Sequence, residues 1–321
     1  MSQSRLSTAI QDGQLSLPAG RVKLMRPPAT YDVTALPRDA IMIDHGFYPD
    51  YRAWQNAAYP QADGRAATAI VVVPRAKKLA RAMIHDACAT ADLVIVDGQK
   101  TDGVDGLYKD CRKRLGNLPT VTKGHGRLFW FDASDAFADW AAPQATKGPH
   151  GYYNLPGVFS DGAVDKGSAL LTDCLPPKLP KRMADLGAGW GYLAGGILAR
   201  QGVQSLDLIE AEKLSLACAR LNVTDPRVAF HWADATAFEA NPAYDGIVMN
   251  PPFHTTRAAD HGLGRAFIQA AARLLTPQGK LWMVANRHLP YEGTLAESFR
   301  NVDMIADNGA FKVFRATKPQ R

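Results

Sequence analysis

The sequence predicts an α/β protein made of two tandem doubly wound folds, each a mostly parallel sheet covered by helices. Three observations carry this prediction. Short aliphatic runs alternate with helical periodicities in both halves of the chain, and that alternation buries a parallel sheet on both faces. A stretch rich in Pro, Gly and polar residues from Ala141 to Tyr153 interrupts the alternation, so domains are expected at residues 1–145 and 150–321. The 321 residues suffice for two domains of roughly 150 residues each.

The elements follow in order. Ala69 to Val73 is a β-branched run stopped by Pro74, with a helical pattern from Arg75 to Ala89 after it. Asp92 to Val96 reads as a buried strand closed by Asp97-Gly98, and Gly106 to Leu115 as a helix. In the second half, strands are expected at Arg182 to Leu186, Leu206 to Ile209, Val228 to Trp232, Asp245 to Met249 and Lys280 to Val284. Helices are expected at Tyr192 to Gln201, Lys213 to Leu221 and Gly264 to Leu275. Met304 to Ala306 and Phe311 to Arg315 flank Asn308-Gly309, a hairpin signal that adds an antiparallel edge. The first 40 or so residues show no assignable pattern.

Composition narrows the class. Hydrophobic residues at 46% and charged residues at 21% are the balance of a folded soluble domain. No run reaches the ~20 apolar residues of a membrane span, and the start lacks an apolar signal segment, so a cytoplasmic protein is expected. Cys88, Cys111, Cys174 and Cys218 are scattered without a CxxC pair or ligand-spaced His, which argues against a disulfide framework and against a metal site. The net charge of +6 suits a polyanionic partner.

The densest chemical signal is Asp185-Leu186-Gly187-Ala188-Gly189-Trp190-Gly191, between a predicted strand and a predicted helix. Glycines there permit a tight turn and close backbone approach of a ligand, and the following helix N-terminus favours polar ligand groups. A dinucleotide fingerprint needs glycine three residues after its second, where Tyr192 stands. The spacing is DxGxGxG, typical of enzymes that bind S-adenosylmethionine. Asp185 suits the cationic amino end of its methionine moiety. Glu210 closes the next strand, where a carboxylate accepts ribose hydroxyls; Glu212 competes from two residues into the turn. Asp234, after the third strand, is placed to accept from an adenine amino group with the Ala235 N–H beside it, or else serves as a helix N-cap.

The fourth strand ends in Asn250-Pro251-Pro252-Phe253. Two prolines stiffen the turn and delete two backbone donors. The Asn250 side-chain oxygen and the Pro251 carbonyl remain as acceptors, matched to the two hydrogens of an exocyclic amino group, and Phe253 supplies a face for a splayed-out base. Alignment of that nitrogen needs no strong general base.

At these residues the chain resembles the class I S-adenosylmethionine-dependent ribosomal RNA (guanine-N2)-methyltransferases of the small-subunit methyltransferase C type. The likeness extends over Leu155-Pro156-Gly157-Val158-Phe159-Ser160 with Asp165-Lys166-Gly167-Ser168, which looks like the family's entry segment to the cofactor pocket, over His254 after the Asn-Pro-Pro-Phe, and over the segments 284–291 and 309–316, similar to its closing strands. It implies two Rossmann-like methyltransferase folds, the N-terminal one a degenerate copy without a cofactor site. It places Phe159 and Gly167 with Asp185, Gly187, Gly189, Gly191, Glu210, Asp234, Ala235 and Asn250 at the cofactor. Asn250, Pro251 and Phe253 are then the catalytic residues, and Pro252, Phe253 and His254 meet the substrate. In the first half Asp97-Gly98-Gln99-Lys100 is expected where the active copy has Asn-Pro-Pro-Phe. Lys109, Arg112, Lys113 and Arg114, together with Arg75, Lys77, Lys78 and Arg81, form basic clusters at helical spacing, read either as phosphate contacts or as solvated helix faces. The expected function is methylation of guanine N2 in ribosomal RNA, 16S rRNA favoured, by a monomer whose partner is ribosomal RNA or a ribosomal subunit. Adenine N6, a protein glutamine, or a catalytically silent ribosome-assembly role are the alternatives.

Overall fold

Period-two alternation places successive strand residues on opposite sheet faces, so a strand apolar at every position needs cover on both sides. The first half meets that need with α1 (Arg5–Gln11), β1 (Val22–Met25), β2 (Ile41–Asp44), α2 (Tyr48–Asn56), β3 (Thr68–Val72), α3 (Lys77–Thr90), β4 (Leu93–Gln99), α4 (Val104–Leu115), β5 (Thr120–Lys123) and β6 (Gly126–Asp132). Val94, Val96, Phe129 and Phe131 face one core with Ala80, Ile84, Leu107 and Cys111 of α3 and α4. Their neighbours Leu93, Ile95, Leu128 and Trp130 face the other with Leu6 of α1 and Trp54 of α2. The structure is a computed structural model that describes residues 4–148, 150–158, 164–252 and 261–320. It divides into two compact units, Met1–Gln144 and Ala145–Arg321.

The second unit opens with a two-stranded ribbon, β7 (Thr146–Lys147) and β8 (Tyr153–Asn154). It continues through α5 (Lys166–Cys174), β9 (Arg182–Leu186), α6 (Tyr192–Leu198), β10 (Ser205–Glu210), α7 (Lys213–Asn222), β11 (Val228–Trp232) and β12 (Tyr244–Met249). It closes with α8 (His261–Leu274), β13 (Leu275–Asn286), α9 (Glu292–Ser298), β14 (Phe299–Asp307) and β15 (Phe311–Pro319). The sheet order is β11-β10-β9-β12-β13-β15-β14, parallel as far as β13 and antiparallel beyond it. Ala184, Ile247 and Met283 look toward α8 and α9, while Met183, Val248 and Trp282 look toward α5 and α6. Each fully buried Val, Ile or Met side chain among these contributes ~1.5–3 kcal/mol, and the strands are thereby held in one register. That register sets the carboxyl ends of β9, β10, β11 and β12 side by side.

The first unit's order, β2-β1-β3-β4-β6-β5, is the second unit's order without its outermost strand. The match corrects one expectation. The counterpart of β12 is β3, not β4, so Val73-Pro74-Arg75 stands where the second unit has Asn250-Pro251-Pro252, and Asp97 lies at the end of the strand matching β13. The first unit has no counterpart of β11, so its third strand rather than its fourth takes the place of β12. Likewise β1 runs into Arg26-Pro27-Pro28 where β9 runs into Gly187-Ala188-Gly189. Asp97 itself is buried and bonded to Arg5 of α1 at 2.6 Å and to the Tyr31 hydroxyl at 2.9 Å. Arg5 also donates to the Lys123 carbonyl, and Lys123 Nζ donates to Thr8 Oγ1, which docks α1 on β5.

Candidate active site

Asp185 is the last but one residue of β9, paired in register with Leu208 of β10 and Val248 of β12. It is fully buried, and neither carboxylate oxygen has a hydrogen-bond partner among the described residues. Burial, seconded by the Glu210 charge, pushes its carboxyl up to about 8. An unpartnered buried carboxyl is costly, and it is the group expected of a site built to meet a cation.

The loop after it is shaped by its glycines. Gly187, Gly189 and Gly191 have φ of +76°, +57° and +89°, the left-handed region that other residues enter only with strain. A Cβ on Gly191 would lie 2.9 Å from Val223, and one on Gly187 3.3 Å from Phe267 and 4.0 Å from Pro252, while nothing lies within 4 Å of one on Gly189. The Ile209 carbonyl accepts from the N–H groups of Gly187 and Ala188 at 2.9 and 3.1 Å, which ties the loop to the end of β10.

Glu210 ends β10. One of its oxygens accepts from Gly189 N–H at 2.8 Å and the other from Glu212 N–H at 2.7 Å. Burial raises its carboxyl above the usual range, against the lowering effect of those backbone donors. Of the two acids considered, Glu210 is the one built into the loop. Asp234 does not cap a helix. Its Oδ1 accepts from Thr236 N–H and Oγ1 at 2.8 and 2.7 Å, which closes a turn beyond β11, with Ala235 buried behind it.

Asn250 follows β12 directly. Its Nδ2 donates to Asp165 Oδ2 and to Ser168 Oγ, both at 2.8 Å. Its Oδ1 is buried with no partner among the described residues. Asp165 is the N-cap of α5, accepting from Ser168 N–H at 2.7 Å. A Cβ on Gly167 would fall 3.1 Å from that carboxylate and from the Phe311 ring. Asp165 and Ser168 join the site only through the fold, since their partner lies more than 80 residues away in sequence. Pro251 is buried and Pro252 exposed at the end of the strand. Phe159, Phe253 and His254 lie outside the described residues.

A further element was missed. Asn222, the last residue of α7, bonds both backbone groups of Tyr153 and the Trp190 carbonyl, and Tyr152 packs on Trp190 with ring centroids 4.7 Å apart. The segment before α5 is thus fastened to the glycine loop. In the first unit the basic residues divide. Arg114 is paired with Asp139 and lies over Trp140, and Lys77 and Arg81 share Asp110. Arg112 donates to Asn117. Lys109 and Lys113 are exposed one turn apart on α4, with no ion pair among the described residues.

A family model described as the methyltransferase small domain matches residues 151–315. A ribosomal RNA small subunit methyltransferase C of Shewanella sp. (strain MR-4) is 30% identical over 310 residues, 90% of each chain. The chain belongs to the ribosomal RNA small subunit methyltransferase C family. A member from Hahella chejuensis is 28% identical over 96% of both chains. Among solved structures, a T. thermophilus 16S rRNA N2 methyltransferase in complex with AdoMet and guanosine has the same fold, with a TM-score of 0.78 at 24% identity over 95% of this chain and 90% of that one. In this member of the methyltransferase C family, the glycine loop, Glu210 and Asn250 all lie within the matched small domain.

Proposed function

We propose that this protein transfers a methyl group from S-adenosylmethionine to the exocyclic N2 of a guanine in small-subunit ribosomal RNA. The observation that carries the reading is the fixed amide of Asn250. Its two donor hydrogens are spent on Asp165 and Ser168, and a buried acceptor oxygen is left over. An amino group supplies the donor that this oxygen lacks. The Pro251 carbonyl is the second acceptor, and Phe253 the stacking face.

The residues fit S-adenosylmethionine. The orphaned carboxyl of Asp185 suits its ammonium, the glycines leave room for close approach of its methionine end, and Glu210 suits its ribose. Phe159, Gly167, Asp234, Ala235 and the backbone of Asn250 complete the binding set in this reading. Bound there, it supplies an electrophilic methyl group on sulfur. The protein's part is orientation: Asn250 and Pro251 hold the amino nitrogen by its hydrogens, and no strong base is required.

In the same reading the first unit is a degenerate copy that positions RNA. Support comes from Val73 and the Arg26-Pro27-Pro28 turn standing where the second unit has Asn250 and its glycines. Lys109 and Lys113, with Arg112 between them, would meet phosphates, whereas Arg114 is held by Asp139. The protein acts on ribosomal RNA or a ribosomal subunit, as a monomer in the cytoplasm; no helix among the described residues is long and apolar enough to cross a membrane. The test is mass spectrometry of small-subunit ribosomal RNA nucleosides from a deletion strain, paired with methylation of that RNA by the purified protein. Loss of one N2-methylguanosine in vivo and its restoration in vitro are expected; an unchanged nucleoside profile with no transfer in vitro refutes the proposal.

A further inference from the structure

An asparagine amide is nearly symmetric in shape, so a half-turn about its last torsion exchanges an acceptor for two donors at little steric cost. What the end of β12 offers to a substrate therefore depends on what fixes that torsion. A carboxylate only accepts hydrogen bonds. With Asp165 Oδ2 at 2.8 Å, the edge of Asn250 that faces it must carry the NH2 group, and Ser168 Oγ at 2.8 Å takes the second hydrogen. The flipped amide would set its oxygen against a carboxylate oxygen and would give up a charge-assisted bond. Asp165 is itself held, since the same Oδ2 accepts from Ser168 N–H at 2.7 Å at the start of α5. Gly167 keeps the space beside that oxygen free of a Cβ.

We infer that Asp165 and Ser168 are positioning residues for methyl transfer, locking the Asn250 oxygen toward the target so that the site accepts a hydrogen-bond donor and rejects an acceptor. The inference rests on the proposed role of Asn250. The choice of a donor such as an amino group over a ring nitrogen without hydrogen or a carbonyl is thereby set outside the Asn-Pro-Pro-Phe turn, by a helix start 82 to 85 residues earlier in the chain. Neither residue needs to touch the substrate.

The experiment measures single-turnover methyl transfer to small-subunit ribosomal RNA at saturating S-adenosylmethionine, and the affinity for that cofactor by calorimetry, on the full chain. Ser168→Ala and Asp165→Ala are expected to slow transfer by about tenfold to a hundredfold, the scale of a small misplacement of a reacting group. Cofactor affinity should stay within about threefold, because the deleted bonds serve Asn250. Asp165→Asn should restore most of the rate that Asp165→Ala gives up, since a single neutral oxygen can accept both bonds. In an Asn250→Ala background Ser168→Ala should have no further effect, the signature of a residue acting through another. Equal slowing in both backgrounds, or a parallel loss of cofactor affinity, overturns the inference while leaving the role of Asn250 intact. A wild-type rate in Asn250→Ala itself overturns both. Should Asp165→Ala fail to fold for want of its cap, Ser168→Ala and Asp165→Asn retain that cap and decide the matter.

Discussion

Replacing Asp185 with asparagine removes a proton site whose occupancy differs between the folded and unfolded chain. In the fold the carboxyl is fully buried, unpartnered among the described residues, and raised from the usual 3.8 to about 8. The unfolded chain gives up this proton near pH 4, whereas the folded chain keeps it until pH nears 8. Between those values the folded state binds more protons, so stability falls as pH rises and levels off above the folded value. At about 1.4 kcal/mol per pH unit, the ligand-free protein is weakened by roughly 4 kcal/mol at neutral pH relative to acid, and by roughly 5–6 kcal/mol near pH 8. The Asp185→Asn variant has no such proton to lose. Its melting temperature relative to wild type should rise by on the order of 10 °C between pH ~5 and pH ~8, taking ~2–4 °C per kcal/mol for a unit of this size. The same substitution should weaken S-adenosylmethionine binding at least about tenfold, the loss of one charged partner. In wild type at pH ~7 the arriving ammonium should displace most of one proton per molecule bound. Calorimetry in two buffers of different ionisation enthalpy reads that number, and thermal melts across the pH series read the stability. A variant that releases the same proton on binding, or whose melting curve runs parallel to wild type at every pH, refutes the reasoning.

Glu210→Ala removes both the expected ribose acceptor and the bond that holds Gly189 N–H, so cofactor affinity should drop by ~1–3 kcal/mol in calorimetry, with Glu210→Gln intermediate. Asn250→Ala should leave cofactor affinity nearly unchanged and cut methyl transfer by about two orders of magnitude or more in single-turnover assays, because its oxygen orients only the acceptor. Charge reversal of Lys109 and Lys113 together should weaken RNA binding on every sequence alike and flatten the plot of log affinity against log salt by ~0.7–0.9 for each phosphate no longer neutralised; an unchanged slope assigns both lysines to a solvated helix face.

What could be read from the sequence was what is local in it. The glycine loop announces itself because only glycine tolerates three left-handed backbone positions within five residues, and Asn250-Pro251-Pro252 because prolines at a strand end are rarely idle. β9 to β12 lie within a residue of their expected bounds, since each is a mostly apolar run between turn signals, whereas β13, β14 and β15 run four to seven residues longer than their apolar centres suggest, because pairing with one another extends them over polar residues. β1 and β2 escaped because they are four residues each, hemmed by Pro27, Pro28 and Pro37, and take their strand character from pairing, β1 with β3 and β2 at the edge with β1. The β5–β6 hairpin escaped because its turn pairs Gly124 with His125 at positive φ, a conformation His does not advertise. The hold of Asp165 and Ser168 on Asn250 is a tertiary contact, and no periodicity encodes it.

The docking of α1 bears on the order in which the first unit is assembled. Its turns leave the ribosome ahead of every other element of that unit, yet their anchors are Asp97 and Lys123, and β6, beside β5, ends only at Asp132. Closing a loop of that length carries a logarithmic entropy cost that is met once, when the last strands arrive. Until then Leu6 and Ala9 lack Leu128 and Trp130 of their core, and the Lys123 carbonyl is not yet there to hold Arg5 against Asp97. The helix synthesised first within the unit is therefore among the last of its pieces to be seated, and the second unit begins to emerge just as that seat becomes available.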